Sequence, residues 1–361
     1  MMRGKETLKG LRPYTPGRPI EEVQKEYGIE KIVKLASNEN PFGYSNEVKK
    51  FLQETVTDLQ LYPDGGAVAL KEAIAEYYQV ETEQLIVGAG LDEVIQIVSR
   101  AYLTPADEII VPDPTFPQYA HHAIIEGAKV IKVPVDEKTG EMALEDMLKE
   151  VTENTKIIWL CNPNNPTGTY VSQEKITSFL EQVPKDVLVI SDEAYQEFVT
   201  IEEESSTLAV LEQFPNLMVM KTFSKAYGIA GLRVGYGIAS RDIIQTLEVT
   251  RLPFNTNSLG QQAAIVALKD QDFIKETSRI NREELTAWES FLEEHQMPYY
   301  VSQTNFIFFS VGDKDQGVTQ YLLEQGFIIR GGLKPGWLRI TIGLPEDNET
   351  LRKYLLAYLA K

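Results

Sequence analysis

From about residue 84 to about residue 240 the chain alternates short apolar runs with segments of helical spacing. Seven runs have the pattern of strands: QLIVG, EIIVP, KVIKVPV, KIIWLC, DVLVIS, LMVMKTF and LRVGYGIA. Several are apolar throughout, which is typical of strands in a sheet that is covered on both faces. LDEVIQIVSRAYL, ALEDMLKEV and SQEKITSFLEQV have helical spacing between them. The alternation predicts an α/β fold with a mostly parallel, helix-covered sheet.

The pattern changes at about residue 257. One or two long helices are predicted there, followed by the short strands PYYVSQ, NFIFFSV, FIIRG and LRITIG and by a last helix, NETLRKYLLAYLAK. We therefore expect a large domain over residues 46–256 and a smaller α+β domain over residues 257–361. Residues 1–45 are rich in Pro, Gly and Asn, and we expect an extended amino-terminal arm that joins the small domain.

Charge and composition exclude several classes of protein. The formal net charge of −18 argues against a general nucleic-acid binder and against docking on an anionic membrane. Cys161 is the single cysteine, so no disulfide framework is expected. The amino terminus lacks the apolar core of a signal peptide and no apolar run is long enough to span a bilayer, so we expect a cytoplasmic protein. With only three histidines, His121, His122 and His295, we expect no histidine metal site and no Ser/His/Asp triad.

Polar clusters follow five of the predicted strands. They are VGAGLDE, PDPTFP, CNPNNPTG, ISDEAY and KTFSK. In open α/β sheets ligands bind beyond the carboxyl ends of the strands. Five clusters that converge at one edge therefore predict a ligand site there.

The stretch KTFSKAYGIAGLRVGY combines a lysine and an arginine with glycines. A lysine at an apolar strand end, Lys225, is a candidate for a Schiff base, although Lys221 is a nearby competitor. Arg233 could bind a phosphate through its planar guanidinium, with the hydroxyls of Thr222 and Ser224 as further donors. The alternative is an ordinary turn between strands with solvated basic side chains.

The other clusters each allow a functional and an ordinary interpretation. VGAGLDEV opens a helix, so its backbone N–H groups could bind an anion or simply form a tight turn. Asp192 could pair with a protonated ring nitrogen or act as a helix N-cap. Tyr195 and Phe116 could contact a ligand ring or only pack. Three asparagines crowd the turn CNPNNPTG, which is more amide groups than a turn requires.

In this order and spacing the motifs resemble the fold-type I aminotransferases that use pyridoxal phosphate, and most closely their histidinol-phosphate branch. The resemblance runs nearly end to end. It covers LRPYTPGRPIEEV, KLASNENPFG, LYPDG, GAGLDE, PTFPQY, NPNNPTG, SDEAY, TFSKAYGIAGLRVGYG, PFNTN and LRITIG.

The resemblance implies a cofactor site for pyridoxal 5'-phosphate. Lys225 would be bonded covalently to the cofactor and would move the substrate proton. Asp192 would pair with the pyridinium nitrogen, and Asn165 and Tyr195 would hydrogen-bond the phenolic oxygen. Phe116 would stack on the ring. The cofactor phosphate would be held by Thr222, Ser224, Arg233 and the backbone of Leu91 and Asp92.

The resemblance also implies a homodimer and an anionic substrate. Tyr62, in LYPDG, would reach the phosphate from the partner subunit. The residues expected to face the substrate are Tyr14, Asn40, Arg330 and Arg339.

The implied reaction transfers the amino group of L-histidinol phosphate to 2-oxoglutarate, in histidine biosynthesis, with ping-pong kinetics. The products would be imidazole-acetol phosphate and L-glutamate. The alternatives are an aromatic amino acid aminotransferase, a decarboxylase of an amino acid phosphate, and a non-catalytic protein on the same scaffold.

Two departures from the family pattern bear on the identity of the amino donor. The segment GGLKPGWL between Arg330 and Arg339 is short, and Asn257 and Ser258 stand where close relatives often have an arginine.

Overall fold

The computed structural model describes residues 4–13, 17–55, 58, 60–201 and 204–360. Within these ranges the strands are β1 (Val33–Lys34), β2 (Leu85–Gly88), β3 (Glu108–Asp113), β4 (Lys129–Pro134), β5 (Thr155–Cys161), β6 (Leu188–Asp192), β7 (Leu217–Thr222), β8 (Gly235–Ala239), β9 (Phe306–Ser310), β10 (Phe327–Ile328) and β11 (Trp337–Thr341). The α-helices are α1 (Ile20–Tyr27), α2 (Asn46–Glu54), α3 (Val68–Tyr78), α4 (Leu91–Tyr102), α5 (Gln118–Glu126), α6 (Leu144–Lys149), α7 (Gln173–Leu180), α8 (Arg241–Glu248), α9 (Ser258–Lys269), α10 (Gln271–Glu294), α11 (Asp315–Glu324) and α12 (Pro345–Leu359).

All seven runs predicted as strands lie in one seven-stranded sheet, in the order β2-β8-β7-β6-β5-β3-β4. The pairs from β7 to β4 are parallel, whereas β8 runs antiparallel to both of its neighbours. Alternate side chains of each strand enter different apolar clusters, because successive residues of a strand point to opposite faces. In β5, Ile158 and Leu160 join one cluster, and Ile157 and Trp159 join the other. The predicted α/β class is confirmed.

Helices cover both faces of this sheet. One apolar cluster takes side chains from α2, α3, α6, α7 and α9, and the other takes them from α4, α5 and α8. The inner strands of the sheet are therefore shielded from water on both sides, which explains why several of them are apolar throughout, whereas the edge strand β4 is partly exposed.

The carboxyl-terminal part has a core of its own. β9 and β11 pair antiparallel, and α10, α11 and α12 pack against them around the fully buried Trp288. Leu35 from the amino-terminal segment joins this cluster, and β1 pairs in parallel with β10. The segment that we expected to be extended also contains the helix α1. The domain boundaries at residues 46 and 257 stay predictions.

The prediction of a strand over PYYVSQ was wrong. A single bridge joins Tyr299 to Phe309, and no further ladder forms. The hydroxyl of Ser302 instead donates to the carbonyl of Phe306 at 2.7 Å and accepts from the N–H of Thr304 at 3.1 Å. Such local side-chain bonds to the backbone compete with strand pairing and turn the chain away from the sheet.

The last helix begins earlier than predicted. α12 starts at Pro345. Proline suits the first turn of a helix because its φ is fixed near the helical value and because the first N–H groups of a helix have no partner within it. In the described part of the chain, none of the helices is both long and apolar enough to cross a membrane. No cluster of three or more potential metal-binding side chains occurs there either.

Candidate active site

A cavity of about 190 Å³ lies at the carboxyl ends of the central strands. Eleven of the residues selected from the sequence line it: Leu91, Asp92, Phe116, Asn165, Asp192, Tyr195, Thr222, Ser224, Lys225, Arg233 and Arg339. Five further residues line it that the sequence analysis had not selected: Ser37, Asn38, Tyr119, Cys161 and Ala194. The convergence expected from the strand ends is therefore present.

Lys225 lies in the turn just after β7 and is half-buried. Its Nζ donates to the carbonyl oxygen of Ser37 at 2.9 Å and lies 5.7 Å from the centre of the Tyr195 ring. Burial, helped by the positive charge of Arg339, lowers the pKa of Lys225 from 10.5 to about 8. A larger share of the amine is then neutral near pH 7, which is the form that attacks an aldehyde.

Asp192 ends β6, and its side chain is almost fully buried. Its Oδ2 accepts from the Tyr119 hydroxyl at 2.6 Å and its Oδ1 accepts from the Ala194 N–H at 3.1 Å. Burial raises the pKa of Asp192 to about 6, although the Tyr119 hydrogen bond opposes the rise. A buried carboxylate of this kind is stabilised by a cation, so the site fits a protonated ring nitrogen.

Groups that suit an anion also line the cavity. Gly90, with φ +82°, directs the first N–H groups of α4 toward it. Arg233 lies beside this helix end, with Nη1 3.4 Å from Ser224 Oγ and Nη2 4.0 Å from Asp92 Oδ2. The positive φ favours glycine at position 90, and a Cβ there would also force the Arg233 guanidinium to move. Helix N–H groups, a guanidinium and a hydroxyl together suit a phosphate dianion.

Three further polar side chains that line the cavity are Asn165, Tyr195 and Arg339. Arg339 Nη1 donates to Asn165 Oδ1 at 2.6 Å, and its Nη2 donates to the carbonyl of Ala36 at 2.6 Å. The Tyr195 oxygen accepts from Asn38 Nδ2 at 2.9 Å. The hydroxyl hydrogen of Tyr195 therefore remains available for a ligand, and burial raises the pKa of this phenol so that it stays protonated.

Asn38 is the main polar residue that the sequence analysis missed. It is 1% exposed and has φ +57°, a conformation that asparagine tolerates better than most residues. Its N–H donates to Thr341 Oγ1 at 3.0 Å, and its carbonyl accepts from Asn305 Nδ2 at 3.0 Å. The signal was present in KLASNENPFG, where we selected the neighbouring Asn40 instead.

Three of the selected residues that the structure describes do not line this cavity. Asn40 Nδ2 donates to the carbonyl of Ala226 at 2.8 Å and so supports the turn after Lys225. Arg330 exchanges backbone hydrogen bonds with Arg339 and lines a neighbouring groove. Tyr62 is 81% exposed and stacks on another aromatic ring. Tyr14 lies outside the described residues.

Lys221, the competitor of Lys225, points to the opposite face of the sheet. It is 1% exposed, and its Nζ lies 2.9 Å from Glu193 Oε2 and 2.9 Å from Gln196 Oε1. Burial lowers its pKa, but the carboxylates of Glu193 and Glu197 outweigh this effect, and the pKa is raised overall. Lys221 therefore stays charged and cannot reach the cavity.

Comparisons with known proteins agree with this geometry. Residues 30–355 match the family of class I and II aminotransferases. A histidinol-phosphate aminotransferase of Geobacillus thermodenitrificans is 51% identical over 351 residues, which is 96% of each chain. One of Bacillus licheniformis is 49% identical over 362 residues, 99% of this chain and 100% of the relative.

The solved structure of a histidinol-phosphate aminotransferase from Sinorhizobium meliloti, in complex with pyridoxal-5'-phosphate, has the same fold. Its TM-score is 0.90 at 24% identity, over 100% of this chain and 98% of that one. The chain belongs to the class I and II aminotransferases.

Proposed function

We propose that this aminotransferase carries pyridoxal 5'-phosphate and transfers the amino group of L-histidinol phosphate to 2-oxoglutarate. The products would be imidazole-acetol phosphate and L-glutamate, in histidine biosynthesis. The choice of histidinol phosphate as the amino donor rests on the similarity to histidinol-phosphate aminotransferases, which are 49–51% identical to this chain over nearly its whole length. Location in the cytoplasm stays a prediction.

The three chemical features of the cavity support the cofactor. Lys225 provides an amine of lowered pKa for the covalent bond, and Asp192 provides a buried carboxylate for the ring nitrogen. Arg233, Ser224 and the first turn of α4 would hold the phosphate. When bound, the cofactor withdraws electrons from the carbon that loses its proton.

Lys225 is also the proposed proton carrier. Because its pKa is about 8, the neutral amine can accept the proton from the substrate carbon and the ammonium can return it. Asn165 and Tyr195 would hydrogen-bond the phenolic oxygen of the cofactor. Arg339, whose guanidinium already bonds Asn165, would bind the anionic group of the substrate.

We propose a homodimer in which Tyr62 reaches the phosphate site of the partner. Exposed apolar side chains support a contact with a second copy: Leu61 65%, Tyr62 81%, Val68 54%, Leu252 55% and Phe254 47% exposed. The rings of Tyr62 and Phe254 stack with their centres 4.7 Å apart. Light scattering should give the mass of two chains, and a fully active monomer would contradict the proposal.

A panel of amino donors tests the substrate. With 2-oxoglutarate as the acceptor, kcat/KM should be highest for histidinol phosphate and lower for tyrosine and phenylalanine. Higher values for the aromatic amino acids would replace the proposal with an aromatic aminotransferase. Release of CO₂ would indicate a decarboxylase, and no absorbance change with any donor would indicate a protein without activity.

We also propose that Arg330 binds the phosphate of histidinol phosphate, and Arg330→Ala tests this contact. We expect it to lower kcat/KM for histidinol phosphate by about tenfold more than for phenylalanine, because charge-assisted hydrogen bonds to the phosphate are lost. Arg241→Ala is the matched control, since Arg241 is exposed and pairs with Glu81. Equal losses for both donors would show that Arg330 does not bind the phosphate.

A further inference from the structure

Tyr119 makes a short hydrogen bond that the proposed roles do not use. It lies in the first turn of α5, is fully buried and lines the cavity. Its hydroxyl donates to Asp192 Oδ2 at 2.6 Å. The ring is stacked on Trp159, with the centres 4.4 Å apart and an angle of 11° between the planes. The stacking holds the ring in place, which keeps the phenolic oxygen within hydrogen-bond distance of the carboxylate.

Few groups around Asp192 favour its charged form. The groups that act on its charge are Tyr119 of α5, Cys161 of β5, Asp92 of α4, the Ala194 N–H of its own segment and, from the opposite face of the sheet, Glu193. The two acidic groups add negative charge, and burial raises the pKa of the Cys161 thiol to about 12, so this thiol stays neutral. Only the hydroxyl of Tyr119 and the N–H of Ala194 donate hydrogen bonds to the carboxylate among the described residues.

We propose that Tyr119 is a positioning residue of the active site, which keeps the Asp192 carboxylate ionised and fixes its plane for the ring nitrogen of the cofactor. This inference rests on the proposed function. A hydrogen bond to the charged form stabilises that form. Without it, the neutral acid becomes more favourable, and a neutral acid offers no charge to a pyridinium ion.

Tyr119→Phe tests the inference in protein that contains no cofactor. The substitution removes one oxygen and keeps the ring on Trp159. Infrared spectroscopy of the protonated carboxyl group, assigned with Asp192→Asn, gives the titration midpoint of Asp192. We expect the midpoint to rise by about one pH unit or more, a tenfold change in the ionisation constant.

Cofactor binding gives a second measurement. If the midpoint moves from about 6 to about 7, the ionised fraction falls about fivefold at pH 6 and little at pH 8. The affinity of Tyr119→Phe for pyridoxal phosphate should therefore be about fivefold below wild type at pH 6 and nearly equal to it at pH 8. A residue that only packs would not produce this dependence on pH.

Two further variants complete the experiment. Tyr236→Phe removes another fully buried phenol, which lies 3.0 Å from the Tyr78 hydroxyl on the other face of the sheet, and should leave the Asp192 midpoint unchanged. Site-specific 3-fluorotyrosine at position 119 donates a stronger hydrogen bond and should lower the midpoint. If circular dichroism shows that Tyr119→Phe does not fold, the Asp192 midpoint measured in the fluorinated variant tests the proposal instead.

The outcomes separate the two proposals. An unchanged midpoint in the folded variants at position 119, in an enzyme that binds the cofactor and transaminates, would overturn the role of Tyr119 alone. A wild-type protein that does not bind pyridoxal phosphate would overturn the proposed function, and with it the role of Tyr119 in cofactor binding.

Discussion

Lys221 and Lys225 are four residues apart at the end of the same strand, but they occupy opposite electrostatic environments. Lys221 points to the sheet face behind the cavity and pairs with Glu193 at 2.9 Å. Lys225 points into the cavity, where its nearest acceptor is a backbone carbonyl and where Arg339 adds positive charge. The pKa is raised for the first lysine and lowered to about 8 for the second.

The difference shows that burial alone does not lower the pKa of a lysine. Burial lowers the pKa of both side chains, but two carboxylates reverse the effect at Lys221. At Lys225 a neighbouring guanidinium acts in the same direction as burial. We therefore expect the reactive lysine to be Lys225, for which no ion pair with a carboxylate occurs among the described residues.

The largest effect should come from Lys225→Ala. We expect transamination to fall by at least about 10³-fold, because both the covalent bond and the proton carrier are lost. Borohydride reduction followed by mass spectrometry should find the cofactor on Lys225 in the wild type and on no lysine in the variant. An adduct on Lys221 in the wild type would reverse the assignment of the two lysines.

Lys221→Met should instead destabilise the fold. Removal of the ammonium leaves Glu193 as an unpaired buried charge, which costs about 3–5 kcal/mol in the free energy of unfolding. The double variant Lys221→Met/Glu193→Gln should recover part of this loss. The control Lys175→Met breaks an exposed pair with Glu141 and should cost less than about 1 kcal/mol in urea unfolding. Equal costs for the buried and the exposed pair would contradict the comparison.

The pH dependence of cofactor attachment should distinguish Lys225 from an ordinary lysine. Only the neutral amine reacts, so the rate of attachment to cofactor-free protein should rise about tenfold per pH unit below about 8 and level off above it. Stopped-flow absorbance between about pH 7 and pH 10 measures this rate. A rate that still rises near pH 10 would show that the amine of Lys225 is not perturbed.

The smallest effect concerns Arg339. Arg339→Gln removes the second cause of the lowered pKa, so the midpoint for Lys225 should rise by less than about one unit. The same attachment assay gives the midpoint, and Arg241→Gln, a change at an exposed arginine, should not move it. A lower midpoint in Arg339→Gln would contradict the electrostatic account.

Much of the sheet could be predicted because apolar runs bounded by polar turns are a local signal. The seven runs form the seven strands, and the clusters after them meet at one edge. The antiparallel direction of β8 could not be predicted, because the direction of a strand depends on how the turn after Lys225 brings the chain back.

The cavity wall formed by residues far apart in the chain was harder to predict. Asn38 depends on Thr341 and Asn305, which follow it by about three hundred residues, and no local pattern links them. Tyr119 was overlooked because PTFPQY reads as a loop, whereas α5 begins within it at Gln118. The proposed roles of Tyr62 and Arg330 remain predictions, since both lie outside the cavity of a single chain.

Asn38, in the segment before α2, is held by residues that are synthesised much later than the central sheet. Lys225 and Asp192 are translated well before Asn305 and Thr341, the residues that hold Asn38 against Tyr195. Domains generally fold as units during synthesis, so the central sheet can form while β9 and β11 are still being made. The amine of Lys225 is therefore synthesised early, and the polar contacts that hold Asn38 beside Tyr195 can form only after Asn305 and Thr341 have been made.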